Sequence, residues 1–243
     1  MGPRRVLITV AEGTASARPQ EAWVKRSPLG SACEKRPKGV FSFFDEERGG
    51  PPLYQSVLAD VQLYGMLLRC DEDLARTTQA ARCGRCGGRL DRADYPRKPR
   101  GAPPGLGAEH ALRLSFCCAT EGCRRRTSPP SVRFLGRRVF VGAAVVAITA
   151  LAEGSPRAEL RALRTGLGLS ARTLSRWRRW WREVFAQSAF WRAARGQLHT
   201  PVAATALPGA LLQRFAGDLQ ARLVAALRFL GPISTTAGLE RAM

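Results

Sequence analysis

Two groups of cysteines, separated by a loop, are the sequence feature that most constrains the fold. The groups are Cys83-Gly-Arg-Cys86, followed by two glycines, and a later set of Cys117, Cys118 and Cys123. Two thiolates separated by two residues, with glycines that let backbone N–H groups turn toward the sulfurs, are typical of a zinc knuckle. We therefore predict a zinc ribbon over residues 82–138, built from short antiparallel strands.

The second group offers three cysteines for two ligand positions. Cys118 and Cys123, with Gly122 before the last ligand, can form a slightly longer knuckle, and strand alternation places Cys118 on the same face as Phe116. Cys117 would then pack as a small apolar residue. The choice of ligand is not settled by the sequence, and Cys117 is the alternative to Cys118. A closed four-thiolate site is structural, because it leaves no position for water. We predict one structural Zn²⁺, held by Cys83, Cys86, Cys118 and Cys123.

The charge balance favours a polyanionic partner. The chain carries 39 Lys and Arg against 19 Asp and Glu, a formal net charge of +20. Arginine forms two parallel hydrogen bonds to phosphates and guanine edges, so double-stranded DNA is the expected partner. The longest apolar stretch, residues 139–152, is too short to span a bilayer, and no export signal is visible. We therefore expect no membrane partner and a cytoplasmic, nucleoid-associated location in a bacterial cell.

Residues 139–192 have the layout of a helix-turn-helix domain. A buried apolar helix over 139–153 is followed by a short helix over 156–165. A glycine-containing turn leads to Ser170, which is placed to cap a third helix that runs through about Phe190. In a helix-turn-helix the second helix of the motif, here the one after Ser170, enters the major groove.

The helix after Ser170 separates into two faces. Helical spacing puts Leu174, Trp177, Trp181 and Val184 toward the preceding helices. Base edges would be read by Arg172, Ser175, Arg176 and Arg179. Phosphates would be bound by the flanking Arg178 and Arg182, and from the ribbon by Arg124, Arg125, Arg126, Arg137 and Arg138.

The rest of the chain carries weaker signals. Residues 1–38 are expected to be a mostly disordered basic segment, and residues 39–81 a short strand followed by a helical segment. Between the cysteine groups, the sequence PRKPRGAPPGLG predicts a flexible or polyproline-like loop, and HALRLSF a half-buried strand. Residues 193–243 would be a linker followed by one amphipathic helix. Its apolar positions recur every four residues at Leu211, Phe215, Leu219, Leu223 and Leu227.

The motifs CGRCGGRL and FCCATEGCRRRTSPPSVRFLGRR, followed by LGLSARTLSRWRRWW, resemble the zinc-ribbon and helix-turn-helix part of bacterial insertion-element proteins. The resemblance covers about residues 82–190 and implies DNA binding, zinc and a link to mobile elements. Transposases of these families carry a further catalytic domain with three carboxylates on an RNase H-like sheet. Nothing after Phe190 offers such strands or carboxylates, so the resemblance implies an accessory or regulatory subunit.

These observations predict a mainly helical mixed fold and a non-enzymatic, zinc-dependent DNA-binding protein associated with transposition or recombination. The alternative is an interaction adaptor whose C-terminal helix recruits a transposase, recombinase, nuclease or polymerase. RNA binding is less favoured, because the aromatic stacking platforms of single-strand readers are missing from the arginine-rich loops.

Overall fold

In the computed structural model, the described residues are 53–136, 138–153, 157–198 and 200–235. They are mainly helical, with a few short antiparallel strands, as the sequence predicts. The predicted disordered segment, the predicted strand near residue 40 and Arg137 lie outside this part of the chain. Within the described residues, no helix has the length and apolar character needed to cross a membrane.

The N-terminal helical segment is divided in two. α1 covers Leu53–Ala59 and α2 covers Val61–Ala80. The break lies at Asp60, whose side chain accepts a hydrogen bond from the Gln62 backbone N–H and so caps α2. A capping aspartate satisfies a free amide at the start of a helix, which is why α2 begins here.

The cysteine-containing region forms two small sheets. β1 (Leu90–Arg92), β4 (Phe116–Cys118) and β5 (Arg126–Thr127) make an antiparallel sheet in the order β1-β4-β5. β2 (Tyr95–Pro96) pairs with β3 (Leu112–Arg113). HALRLSF forms strand at Leu112–Arg113 and at Phe116, but the predicted half-burial is wrong, because Arg113 and Ser115 are as buried as Leu114. Their polar groups are satisfied by backbone carbonyls: Arg113 donates to Pro129 and Ser115 to Ala93.

α3 (Gly142–Leu151) lies at the centre of the helical core. All of its residues are buried, and it contacts α1, α4 (Arg157–Gly166), α5 (Ala171–Arg179), α7 (Gly209–Leu212) and α8 (Leu219–Leu230). A helix that is apolar on every side is stable only when it is surrounded by protein. The apolar run that is too short for a bilayer therefore becomes the central element of the core.

The helix after Ser170 ends earlier than predicted. α5 passes into a π-helical turn, Trp180–Phe185, and a new helix, α6 (Ala189–Ala194), begins after the capping residue Ser188. A π-turn adds residues to each turn and rotates the following side chains. The predicted core position Val184 is consequently exposed, and Phe185 is buried in its place.

The prediction of a single amphipathic helix near the C-terminus is also wrong. α7 and α8 are separate, because Gly217 adopts a positive φ of 99° and Asp218 caps α8 through the Ala221 N–H. Leu211, Leu223 and Leu227 are nevertheless all buried, as their spacing predicts. α7 and α8 pack against α3, so the apolar face of this segment is part of the same core.

Candidate metal centre and basic surface

Four cysteines meet at one end of the three-stranded sheet. The sulfurs of Cys83, Cys86, Cys118 and Cys123 all lie within 4.8 Å of one another. The Sγ–Sγ distance is 3.8 Å between Cys83 and Cys123 and 3.4 Å between Cys86 and Cys118. A tetrahedral ion with metal–sulfur bonds of about 2.3 Å needs sulfurs separated by about 3.8 Å. The cluster could therefore hold one metal ion.

The first cysteine pair has the local geometry of a thiolate-binding turn. The pKa of Cys86 is lowered to about 6, chiefly by a hydrogen bond from the Gly88 backbone, and the Arg85 backbone lowers the pKa of Cys83. Gly88 lies close to the cluster, and a side chain there would meet the Thr120 hydroxyl as well as two of the sulfurs. A Cβ there would lie 3.1 Å from the Cys118 sulfur and 3.2 Å from the Cys86 sulfur. Donors directed at the sulfurs favour the deprotonated form that binds metal.

Strand pairing determines which of the two adjacent cysteines joins the cluster. In the β1–β4 register Cys118 pairs with Leu90, and Cys118 is completely buried with its sulfur toward Cys86. The Cys117 sulfur lies on the other side of the strand, 3.4 Å from the Arg124 carbonyl oxygen. Successive strand residues point to opposite faces, so only one of the two can be a ligand. The structure brings Cys118 into the cluster and leaves Cys117 outside it.

A buried polar network that the sequence analysis missed joins α2 to the segment after the cysteines. Asp71 accepts hydrogen bonds from the Ser131 hydroxyl, the Val132 N–H and the Arg133 Nε, at 2.6, 2.6 and 2.8 Å. The other Arg133 nitrogens donate to three backbone carbonyls, those of Glu109, His110 and Leu112. Only the triplet Asp-Glu-Asp at 71–73 was visible in the sequence, and it does not reveal which acid is buried.

The helix pair α4 and α5 has the predicted sequence of elements. The connecting turn contains Gly168 at a positive φ of 60°, a conformation that glycine adopts at little cost. The Ser170 side chain accepts a hydrogen bond from the Thr173 N–H and caps α5. Leu174, Trp177 and Trp181 are buried, and the Trp177 ring packs edge-on against Phe140.

The polar face of α5 is exposed. Its exposed members are Arg172, Ser175, Arg176 and Arg179, the four positions that the sequence analysis assigned to base reading. Arg179 lies 3.9 Å from Glu183. Both side chains are exposed to solvent, so this ion pair contributes little to the stability of the fold. Arg178 is half-buried, and its Nε has no hydrogen-bond partner among the described residues. Arg182 is bound to Glu153 at 3.1 Å, so a phosphate would compete with that carboxylate.

The arginines that follow the last cysteine occupy different environments. Arg124, Arg125 and Arg126 are exposed around the last cysteine of the cluster, whereas Arg138 is half-buried. The Arg138 guanidinium lies 3.8 Å from the centre of the Trp180 ring, and burial lowers its pKa to about 10. Arg138 therefore connects the segment that precedes α3 to the end of α5 through a contact that the sequence did not reveal.

Comparison with protein-family models, characterised protein sequences and solved structures finds no match for this chain.

Proposed function

We propose that this chain is a non-enzymatic DNA-binding protein that reads duplex DNA with a helix-turn-helix formed by α4 and α5. The observation that carries the proposal is the division of α5 into two faces. Leu174 and Trp177 are buried, whereas Arg172 and Arg176 are exposed on the other side of a helix that Ser170 caps. A rigidly packed helix with an arginine face suits the major groove, where arginine binds guanine by two hydrogen bonds.

In this proposal the metal is one structural zinc ion. Four thiolates with tetrahedral spacing are typical of structural zinc sites, and they leave no coordination position for a substrate. The strands of the three-stranded sheet beside the cysteines have two or three residues each, too few to form a stable sheet alone. Zinc would fix these strands and so hold Arg124, Arg125 and Arg126 in place for phosphate binding.

The link to mobile elements rests on the resemblance of residues 82–190 to insertion-element proteins. We propose an accessory or regulatory role in transposition or recombination, as that resemblance implies. The adaptor alternative needs a surface other than the leucine face of α8, since Leu223 and Leu227 are buried against the core. Recruitment of a transposase or recombinase would use the exposed side of α8.

Arg176→Ala tests the proposal once a preferred duplex has been selected from random DNA. We expect this variant to lose about 1–3 kcal/mol of binding free energy on the preferred duplex, with little loss on a scrambled one. The matched control is Arg192→Ala, an exposed arginine on α6 to which we assign no DNA contact.

Two different outcomes would count against the assignment. Equal losses on the two duplexes would show that Arg176 binds phosphate and does not read bases. Failure of the wild-type protein to bind any duplex at low salt would reject DNA binding itself.

A further inference from the structure

The segment from Tyr95 to Arg100 is extended and fixed at both ends. Tyr95 and Pro96 pair with Arg113 and Leu112 in the two-stranded sheet. At the other end the Arg100 N–H donates to the Val139 carbonyl, and the Arg100 carbonyl accepts from the Val141 N–H, both at 2.9 Å. The loop that the sequence predicted to be flexible or polyproline-like therefore begins with a backbone anchored to the segment that leads into α3.

Exposure alternates along this segment. Pro96, Lys98 and Arg100 are exposed, whereas Tyr95, Arg97 and Pro99 are half-buried. Alternate residues of an extended chain are separated by about 6.6 Å on one face. The prolines restrict the backbone to extended conformations and so keep the two charges on the same side.

Lys98 and Arg100 have no ion-pair or hydrogen-bond partner for their side chains in the part of the chain that the structure describes. Arg97 differs, because its guanidinium donates to the carbonyls of Gly136 and Arg138, each at 2.9 Å, and lies over the Phe134 ring. Arg97 holds the segment against the residues that precede α3. The two outward cations remain available to a partner.

The segment lies between the two surfaces that are proposed to contact DNA. On the ribbon side, the Arg126 guanidinium lies 5.6 Å from the centre of the Tyr95 ring. On the helical side, Arg97 bonds to the backbone of Arg138, whose guanidinium stacks on Trp180 directly after α5. These contacts make a continuous connection from the ribbon through the segment to the end of α5.

A groove of about 430 Å³ runs along the segment. It is lined by Tyr95, Pro96, Arg97, Lys98 and the half-exposed Val139. Apolar walls beside the free ammonium group of Lys98 match the chemistry of a sugar–phosphate backbone, whose sugars are weakly polar and whose phosphates are anionic. A small anionic metabolite would need more buried polar donors than this open groove supplies.

We propose that Lys98 and Arg100 form a third DNA-contacting element, which binds the phosphates of the duplex between the ribbon and α5. This inference rests on the proposed function. The two cations provide affinity without sequence information, because phosphates are the same at every base pair. The element also sets the path of the DNA between the two modules.

The test is the salt dependence of binding to a short duplex of fixed, unselected sequence. Each phosphate contact contributes about 0.9 to the slope of log K against log salt, so the double variant Lys98→Ala/Arg100→Ala should lower the slope by about 1.8. The charge-matched control is Arg69→Ala/Arg192→Ala, in which exposed arginines of α2 and α6 are removed. We expect the control to keep the wild-type slope.

Each result of this experiment is decisive. An unchanged slope in a double variant with wild-type thermal stability overturns the third element while duplex binding stands. An equal decrease in the control assigns the effect to net charge and also overturns it. Absence of wild-type binding to any duplex rejects the proposed function. This result differs from an unchanged slope, which rejects the third element alone. A lowered slope with an unchanged ratio of affinities for preferred and scrambled duplexes supports the proposal.

Discussion

Asp71 joins α2 to the segment that follows the cysteine cluster through a buried network of hydrogen bonds. Its carboxylate accepts three hydrogen bonds from consecutive residues 131–133, and both it and Arg133 are almost fully buried. A buried ion pair costs desolvation energy, which is offset only when nearly every donor and acceptor is satisfied. Arg133 meets that condition, since its remaining nitrogens donate to backbone carbonyls.

Asp71→Ala should lower the free energy of unfolding by about 3–5 kcal/mol, because it leaves the Arg133 charge buried and unpaired. Urea denaturation followed by circular dichroism measures this change. The double variant Asp71→Leu/Arg133→Met should recover only the part of the loss that comes from the unpaired charge, because the Ser131 hydroxyl, the Val132 N–H and three backbone carbonyls still lose their partners. A loss below about 1 kcal/mol in the single variant, the value of an exposed ion pair, would contradict the role of Asp71.

Individual ligand positions were predictable from the sequence, whereas this network was not. Cysteine spacing and glycine placement identified Cys83, Cys86 and Cys123, because metal ligation has fixed local requirements. The Asp71–Arg133 pair joins residues that are 62 positions apart. A pairing of that kind depends on how the two segments pack, and no local pattern encodes it.

At the scale of elements, the register of β4 decides which cysteines form the four-sulfur cluster. Cys117 and Cys118 are adjacent, so a shift of one residue would exchange them between the two faces of the strand. The pairing of Asp91 with Cys117 and Leu90 with Cys118 fixes the register, and the buried Leu90 and Phe116 lie on the same side as Cys118.

Cys118→Ser should abolish stoichiometric zinc binding, and Cys117→Ser should preserve it, because only the Cys118 sulfur joins the four-sulfur cluster. Metal content after dialysis and native mass spectrometry measure the difference. If the cluster holds zinc as proposed, a strong chelator should remove the ion from the wild type and unfold β1, β4 and β5, since metal binding would supply much of their folding energy. Retention of zinc by Cys118→Ser together with its loss from Cys117→Ser would reverse the assignment.

Helix boundaries were less predictable than the helices themselves. The spacing Leu174, Trp177, Trp181 identifies the buried face correctly, but its continuation to Val184 fails because the π-turn at Trp180–Phe185 changes the period. The leucine repeat after residue 210 likewise spans a break that Gly217 and the capping residue Asp218 produce. In both places the apolar residues keep their helical spacing across a local break in the helix. The spacing alone therefore does not predict the break.

At the scale of the whole molecule, the C-terminal helices are part of the core. Leu211, Leu223, Leu227 and Leu230 are completely buried, and α7 and α8 cover α3. Burial of each leucine side chain contributes about 1.5–3 kcal/mol, while the total stability of a domain is about 5–15 kcal/mol. The four leucines together therefore contribute a burial free energy comparable to the total stability of a domain. A fragment that contains only the cysteine region and the helices up to α6 lacks this contribution.

A chain ending at Leu198 should lose the cooperative thermal transition of the protein, because α3 would be left uncovered on the side of α7 and α8. Differential scanning calorimetry measures this outcome. A chain ending at Thr235 is the matched control and should retain the transition, since it keeps both helices. A well-folded Leu198 fragment with the wild-type melting temperature would show that the first six helices form an independent core.

The hydrogen bond from the Ser131 N–H to the Ser234 hydroxyl, 2.7 Å long, spans 103 positions and has a consequence for biosynthesis. Ser131 belongs to the segment that also holds Asp71, yet its last partner is translated only after every helix of the core. Translation supplies all four cysteines of the cluster before it supplies Ser234. If the cluster binds a metal as proposed, metal capture therefore does not need the contact that closes the core.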